Sequence, residues 1–560
     1  MNLIDLRNFE DNSLIETDLC IVGSGPAGLS IAKEFIGTKI QVWIIESGGL
    51  EESPETQALY EIENVGVPRI LEQQLVRNRI FGGTSHTWTG RCAPFDELDF
   101  QHRSWIPNSG WPIARAALEP YLERAGENLG IGPNCYDQQL WKHFKVAPPQ
   151  PLIDAKLLKS QFWQFSKDSQ NPGEPMRFGR NFIASSASPN IKILLHANVT
   201  HLNTNAAGTC LESVEVSTLE KKSIQIRAKA VVLACGGIEN ARLLLASNRI
   251  IPPGVGNEHD VVGRFLMDHP GCIVGSFDTK RSAKVQNRFG HYWLDNQQGR
   301  HVYLHGLALS PELQAKEQLL NCAAFLEQIP AQDDPWYALR RLKGAAKHEE
   351  SALPWERAMP VHQEVLTILR QSGAVLDGVY RRFVKHRPSI IKAERVDLYC
   401  LVEQLPDPES RVTLSSKTDA LGMPLSQLNW KISEQERHTV RRLSQLICQE
   451  FQRIGLPQPI LSSWLNEEEG WQSHFTDRAH PIGTTRIAAN PKAGVVDLNC
   501  QVHGVEGLFI AGSSVFPTTG HANPTLMLIA MSIRLADWLK ANHFRHPAER
   551  YVSKEKSGIA

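Results

Sequence analysis

The stretch Asp18-Leu-Cys-Ile-Val-Gly-Ser-Gly-Pro-Ala-Gly28 decides the fold of this chain. Its apolar start favours a buried strand, and Gly23, Gly25 and Gly28 follow with the G-x-G-x-x-G spacing. In such a turn the first glycine allows a tight bend, the second admits a pyrophosphate, and the third lets the next helix pack on the strand. The helix N-terminus then offers unpaired N–H groups to the phosphates. The stretch therefore predicts a dinucleotide-binding unit.

A second strand and an acidic residue extend this unit. The apolar run 40–45 predicts the strand, and Glu46 follows it, 23 residues after Gly23. This is close to the spacing of a carboxylate that binds a ribose 2′-hydroxyl. An ordinary glycine-rich turn would explain the glycines but would leave Glu46 unexplained. The order of strand, helix, strand and acid therefore favours a dinucleotide site.

Length and composition limit the class of protein. A chain of 560 residues is too long for one simple core, so we expect at least two domains. The net charge of −1 gives no overall field for nucleic acid. No apolar run reaches about 18 residues, so no spanning helix is predicted. Residues 1–18 lack a secretory pattern and the ten cysteines form no C-x-x-C pair, so we expect a cytoplasmic protein with reduced thiols and no metal.

Nucleotide-binding patterns recur later in the chain. Residues 229–245 read as a buried strand, a glycine turn containing Gly236, and a helix. Residues 507–514 read as another buried strand, and the helix 525–539 follows. Strands that alternate with helices predict a parallel sheet covered on both faces. We therefore expect one nucleotide domain divided by long insertions in the sequence, and the expected fold class is α/β, or α+β overall.

The insertions have a different pattern. Residues 396–403 alternate like a half-buried strand, 410–415 form a second short strand, and 434–454 have helical periodicity. They predict a second domain with an antiparallel sheet and helices. Within it, residues 335–390 are helical in pattern and locally basic. This stretch is either a solvated helical face or a docking surface for a membrane or an acidic electron-transfer partner.

Three more segments carry a family resemblance. They are 79–91 with its paired glycines, 479–486 (Ala-His-Pro-Ile-Gly-Thr-Thr-Arg) and 520–526 (Gly-His-Ala-Asn-Pro-Thr-Leu). With the glycine fingerprint, their order and separation resemble the glucose–methanol–choline (GMC) flavoprotein oxidoreductases, from Asp18 to about Lys540. The resemblance implies an FAD-binding Rossmann-like domain of residues 1–94, 190–270 and 475–545. It leaves 95–189 and 271–474 as a discontinuous substrate-binding domain.

The resemblance also implies the cofactor site. FAD is expected to contact the first glycine turn, the acid after the second strand, the paired-glycine loop and three later segments. The residues expected to bind FAD are Gly23, Ser24, Gly25, Pro26, Ala27, Gly28, Glu46, Ser47, Gly82, Gly83, Thr84, Ser85, Val199, Gly236, Gly512, Ser513, Asn523, Pro524 and Thr525. Some members of the family attach FAD through a histidine four residues after the paired glycines. Here the fourth residue after the paired glycines is Thr87, and His86 is the third. We therefore expect FAD to be bound non-covalently.

The family's catalytic histidine matches His480, and its second catalytic position matches Asn523. A neutral imidazole can take the hydroxyl proton of an alcohol while the flavin N5 accepts the hydride. An asparagine amide can hydrogen-bond the same oxygen. We therefore expect His480 as general base and Asn523 as its positioning partner. His521 and Trp88 are weaker candidates for substrate contact.

The resemblance leaves the substrate and the acceptor open. Residues 96–100, 105–113 and 262–270 are similar to the bacterial sugar- and pyranose-oxidising branch. A small-molecule alcohol is therefore expected, with a secondary hydroxyl on a sugar, glycoside or polycyclic metabolite. Oxygen or another acceptor would reoxidise the flavin, and the sequence leaves a homo-oligomer open. The alternative is a non-redox or photochemical flavoenzyme on the same scaffold, a lyase or a decarboxylase. A further alternative is an FAD-binding partner protein without turnover.

Overall fold

A largely parallel sheet places the glycine turn in the molecule. The computed structural model describes residues 2–69, 72–185, 188–347 and 360–544. The first sheet has eight strands, and six of them run parallel. In spatial order, seven strands are Asn2–Asp5, Ile191–Leu195, Val42–Ile45, Ser13–Val22, Ser223–Leu233, Leu211–Ser217 and Asn198–Thr204, and Leu508–Ile510 pairs with Ser223–Leu233. The strand predicted before the glycine turn is confirmed.

The parallel strands are buried because helices cover the sheet. All four residues of Val42–Ile45 are buried, as expected for a strand covered on both faces. Pro26–Lys33 begins with Pro26 at its first turn, where the missing N–H costs nothing. This helix packs against Thr525–Trp538, the apolar helix predicted near the end of the chain. The predicted α/β class is confirmed.

An antiparallel sheet of eight strands forms the second layer. In spatial order, seven strands are Ile460–Leu461, Gly271–Phe277, Ala393–Val402, Cys322–Pro330, Gly299–Leu309, Leu158–Phe165 and Arg91–Cys92, and His291–Asn296 pairs with Gly299–Leu309. The predicted strand at 396–403 lies inside this sheet. Arg91–Cys92 also joins it, although residues 1–94 were assigned to the FAD-binding domain. The domain boundaries therefore remain a prediction.

A third, small sheet contains the second short strand of the insertion. Its strands are Arg411–Thr418, Pro424–Asn429 and Ile62–Asn64. The sequence placed residues 410–415 in one antiparallel sheet with 396–403, but the structure separates them. Pro424–Asn429 pairs in parallel with Ile62–Asn64 instead. This pairing between distant segments has no local sequence signal.

The remaining α-helices lie outside the three sheets. They are Pro54–Gln57, Gln73–Val76, Glu97–Phe100, Glu119–Leu129, Leu140–His143, Phe178–Ser185, Glu239–Ala246, Ala283–Phe289, Pro311–Glu317, Pro335–Lys347, Val361–Arg370, Ser372–Phe383 and Glu434–Arg453. Glu434–Arg453 begins at Ser433 with a capping box completed by Glu436, which explains its sharp start.

The basic stretch 335–390 contains three helices, Pro335–Lys347, Val361–Arg370 and Ser372–Phe383. Its residues 348–359 lie outside the described residues. Across the described ranges, no helix combines the length and the apolar character needed to span a bilayer.

Candidate active site

A cavity of about 540 Å³ opens where four parallel strands end. It is lined by Gly23, Glu46, Ala234 and Ala511, each of which directly follows a strand of the first sheet. Ligands of open α/β sheets bind at this edge, outside the carboxyl ends of the strands. The volume lies in the range of small-molecule and cofactor sites.

The glycines of the first turn differ in their surroundings. Gly23 has a φ of +102°, and a Cβ there would lie 2.6 Å from the carbonyl oxygen of Ala234. A Cβ on Gly28 would lie 2.0 Å from the carbonyl oxygen of Gly23, so the helix packs closely on the turn. A Cβ on Gly25 would meet nothing within 4 Å, and Gly25 lines the cavity. The turn thus holds bare backbone open toward a ligand.

Two later glycines continue this open backbone. A Cβ on Gly236 or on Gly512 would meet no atom within 4 Å, and both residues line the cavity. Together with Gly25 they leave room for a group that must approach the main chain closely. The cavity therefore fits a dinucleotide.

Glu46 ties the end of the second strand to the glycine turn. One carboxylate oxygen accepts hydrogen bonds from Ser24 N at 3.1 Å and Ser24 Oγ at 2.5 Å. The other accepts one from Gly48 N at 2.8 Å. Glu46 also lines the cavity. Its carboxylate thus holds the shape of the cradle in addition to the role expected at a ribose.

The paired-glycine loop lies across the cavity. Gly83, Thr84, Ser85 and Trp88 line it, and Gly82 supports it by donating a backbone hydrogen bond to Ser24 Oγ at 3.1 Å. His86 is not among the lining residues. Its Nε2 lies 3.0 Å from the carbonyl oxygen of Phe81.

The structure brings most of the predicted site residues to this one cavity. Gly28, Gly82 and His521 are the predicted residues that it does not bring to the wall. His521 is buried, with Nε2 3.7 Å from Asp96 Oδ2. The predicted residues at the wall are Gly23, Ser24, Gly25, Pro26, Ala27, Glu46, Ser47, Gly83, Thr84, Ser85, Trp88, Val199, Gly236, His480, Gly512, Ser513, Asn523, Pro524 and Thr525.

His480 reaches the cavity from a loop held by one carboxylate. Asp268 accepts hydrogen bonds from the backbone N–H groups of Arg478 and His480, both at 3.0 Å. Asp268 is itself buried against Arg69, which also pairs with Asp477 at 3.0 Å. Because a buried carboxylate paired in this way has little freedom, it fixes the backbone on both sides of Ala479.

The imidazole of His480 is held neutral. Burial and the neighbouring His269, whose ring centre is 5.2 Å away, lower the pKa of His480 to about 3. Within the described residues, His480 Nδ1 and Asn523 Oδ1 are buried without a hydrogen-bond partner. Buried polar atoms of this kind normally find partners, so the pair is suited to a polar ligand.

One cluster near His480 has the donor set of a metal site. Ligand-type atoms of Asp268, His269 and His480 lie within 4.8 Å of one another. The Asp268 charge is already matched by the buried Arg69 guanidinium. We therefore assign this cluster to the positioning of His480 and assign no metal to it.

Sequence reasoning missed a charged wall of the cavity. Tyr60 lies between Arg77 and Arg79, whose guanidinium carbons are 4.2 and 4.3 Å from its ring centre. Both arginines pair with Glu239 at 3.0 Å. Although burial opposes its charge, Arg242, Arg79 and Arg77 lower the pKa of Glu239 to about 2. Arg77 and Arg79, which come just before the paired glycines, were the sequence signal that could have indicated this charged wall.

The fold and the cavity define an α/β protein with a dinucleotide cradle beside a histidine and an asparagine. Models of the GMC oxidoreductase family match residues 171–271 and 406–532. The chain belongs to the GMC oxidoreductases. It is an FAD-dependent oxidoreductase that acts on CH–OH groups.

Individual relatives agree with this assignment. The fructose dehydrogenase large subunit of Gluconobacter japonicus is 26% identical over 595 positions, covering 94% of this chain and 98% of the relative. The 2-methyl-1,2-propanediol dehydrogenase of Mycolicibacterium austroafricanum is 22% identical, with 94% and 95% covered. A crystal structure of formate oxidase has the same fold, with a TM-score of 0.56, 19% identity, and 96% and 99% of the two chains covered.

Proposed function

We propose that this protein oxidises a secondary hydroxyl of a sugar, glycoside or polycyclic metabolite to a carbonyl. His480 is the general base and Asn523 binds the hydroxyl oxygen. The observation that carries the proposal is that both side chains line the cavity that contains the open glycine cradle. His480, Asn523 and the glycine backbone that would hold the cofactor thus line the same cavity.

The cradle residues would hold FAD without a covalent bond. The open backbone at Gly25, Gly236 and Gly512 would face the cofactor. When bound, FAD supplies the acceptor for the hydride removed from the substrate carbon. His86 supports non-covalent binding, because its ring nitrogen contacts the Phe81 carbonyl and its side chain does not line the cavity.

The remaining chemistry is the movement of one proton. A neutral imidazole can accept the hydroxyl proton of a bound alcohol. The asparagine amide can donate a hydrogen bond to the same oxygen as negative charge develops there. Both groups must therefore be within reach of one hydroxyl group.

Other residues of the cavity wall support a substrate rich in hydroxyl groups. Trp88 offers an aromatic surface, and Arg91, Glu327 and Arg478 offer charged hydrogen-bonding groups. Arg91 Nε is buried without a partner in the described part of the chain. The name of one relative, a fructose dehydrogenase, supports a sugar as the substrate. That of another, a 2-methyl-1,2-propanediol dehydrogenase, supports only the broader class of alcohols with more than one hydroxyl group.

The test is anaerobic reduction of the bound flavin by a panel of sugars, glycosides and other alcohols in the dark. We expect one class of alcohol to bleach the flavin absorbance. The His480→Ala variant should keep FAD and lose about 10²–10⁴-fold in the rate of bleaching. The Asn523→Ala variant should lose about 10²–10³-fold.

Two results would contradict the proposal. Unchanged bleaching by His480→Ala with FAD bound would remove His480 from its role. Failure of every alcohol to bleach the wild-type flavin would favour a lyase or photochemical activity. Admitting air after bleaching separates an oxidase, which recolours quickly, from a dehydrogenase.

A further inference from the structure

The helices Val361–Arg370 and Ser372–Phe383 expose an unusual number of apolar side chains. Of the 20 exposed large hydrophobic residues among the described residues, nine lie within 361–384. They are Val361, Val365, Leu366, Leu369, Leu376, Val379, Tyr380, Phe383 and Val384. We call these nine residues the apolar patch. Single exposed hydrophobic residues are ordinary, but a concentration of them marks an interaction surface.

The apolar patch forms a stripe along each of the two helices. Val361, Val365 and Leu369 are spaced by four residues, and Leu376, Val379 and Phe383 by three and four. These spacings place each set in a stripe along its helix. The two stripes are therefore continuous faces of their helices.

Glu364 and Gly378 of the same helices turn inward. Glu364 is buried and accepts hydrogen bonds from Arg341, with Nε–Oε1 at 2.5 Å and Nη2–Oε2 at 2.8 Å. Gly378 is buried against the ring of Trp336, which a Cβ would meet at 2.1 Å. Arg341 and Trp336 both belong to Pro335–Lys347. The pair thus packs on that helix through Glu364 and Gly378 and leaves the apolar patch exposed.

Cations lie at the edge of the apolar patch. Arg370, Arg382 and Lys385 are exposed, and Asp377 is the exposed acid within 361–387. Arg382 lies 5.6 Å from the centre of the Trp293 ring, and Lys385 Nζ lies 5.3 Å from that of Tyr380. Long basic side chains can keep their charge in water while their stems cover apolar surface.

We propose that the apolar patch binds the surface of an anionic lipid bilayer. The helices have 10 and 12 residues, too short to cross a bilayer but suited to lie in its interface. The exposed cations complement anionic headgroups. A two-fold contact of this patch with a second copy would instead bring like charges together. The proposal is independent of the substrate and of the catalytic roles of His480 and Asn523.

The test is flotation of the purified, FAD-loaded protein with vesicles. Vesicles of phosphatidylcholine mixed with phosphatidylglycerol are compared with vesicles of phosphatidylcholine alone, at low and high salt. We expect binding to the anionic vesicles that weakens at high salt, because salt screens the headgroup charge.

Three double variants separate the contributions. Leu369→Ser with Phe383→Ser removes two apolar side chains that are 64% and 70% exposed. Arg382→Gln with Lys385→Gln removes two cations. As the matched control, Leu152→Ser with Ile460→Ser removes apolar side chains 55% and 71% exposed outside the patch. We expect the first two variants to lose at least about tenfold in vesicle binding and the control to bind like wild type.

All variants should oxidise dissolved alcohol at the wild-type rate, which shows that they are folded. The proposal is overturned if the wild-type protein does not float with the anionic vesicles, or if the patch variants float with them as well as the control variant does. It is also overturned if the wild-type protein is a dimer that only the patch variants dissociate, while vesicles are not bound.

Discussion

Asp268 is the residue on which the position of His480 depends. Its two carboxylate oxygens accept three backbone N–H groups, from His269 at 2.7 Å and from Arg478 and His480 at 3.0 Å. Ala479 between the last two has a φ of +54°, which a non-glycine residue adopts only when its surroundings hold it there. Asp268 thus fixes both neighbours of a strained residue.

We predict that Asp268→Asn lowers the rate of flavin reduction by alcohol at least about tenfold, because an amide N–H group would face a backbone donor. The matched variant is Asp477→Asn, since Asp477 also pairs with Arg69. Either substitution removes one of the two carboxylates that pair with the buried Arg69. Each should therefore lower the free energy of unfolding by about 3–5 kcal/mol, measured by urea unfolding. Only Asp268→Asn should also slow reduction while FAD remains bound. Equal rates in the two folded variants would show that Asp268 has no positioning role.

The elements with the strongest sequence signal are those whose shape a local pattern dictates. The first turn could be predicted because Gly23 and Gly28 occupy positions where a side chain would strike the backbone. The network of Arg69 with Asp268 and Asp477 could not be predicted from the sequence. Its members are distant in sequence, and a salt bridge between distant segments leaves no periodic pattern. The same reason explains why Tyr60 and Glu239 were missed at the wall of the cavity.

Two glycines of the turn give a prediction at the scale of the βα element. Gly28→Ala should destabilise the apoprotein, because its Cβ would overlap the Gly23 carbonyl. Gly25→Ala should change apoprotein stability by no more than about 0.5 kcal/mol, because its Cβ meets open space. That methyl group would nevertheless intrude on the cradle and weaken FAD binding. Thermal unfolding of both apoproteins and FAD titration measure these effects.

The proposed roles of the two glycines would be wrong if Gly25→Ala bound FAD like the wild-type protein. They would also be wrong if Gly28→Ala unfolded at the wild-type temperature. Since the two substitutions add the same methyl group three residues apart, a difference between them reflects only their surroundings.

At the scale of the whole molecule, buried histidines link stability to pH. His269, His301 and His305 are each no more than 2% exposed. Burial lowers the pKa of His269 and His301 to about 4 and that of His305 to about 3. The unfolded chain binds these protons below about pH 6.5, whereas the folded protein binds them only near pH 4 or 3. Their contribution is therefore fully present above pH 6.5 and is lost as pH falls toward 4.

Asp99 acts in the opposite direction. Burial and the nearby Glu403 and Asp96 raise the pKa of its carboxyl group to about 7. The folded protein then binds a proton that the unfolded chain does not, which stabilises the fold as pH falls below 7. The overall pH dependence is thus a difference between opposing groups, and one histidine must be isolated by substitution.

His305 is suited to this because its neutral form satisfies both of its ring nitrogens. Nδ1 donates to the Arg288 carbonyl at 2.9 Å, and Nε2 can accept from Ser160 Oγ at 3.1 Å. We predict that His305→Gln is less stable than wild type at pH 7. Between pH 7 and 5, however, the variant should lose about 2 kcal/mol less stability than wild type, because glutamine binds no proton. Urea unfolding of both proteins at the two pH values measures the difference, and parallel losses would show that His305 titrates alike in the folded and unfolded states.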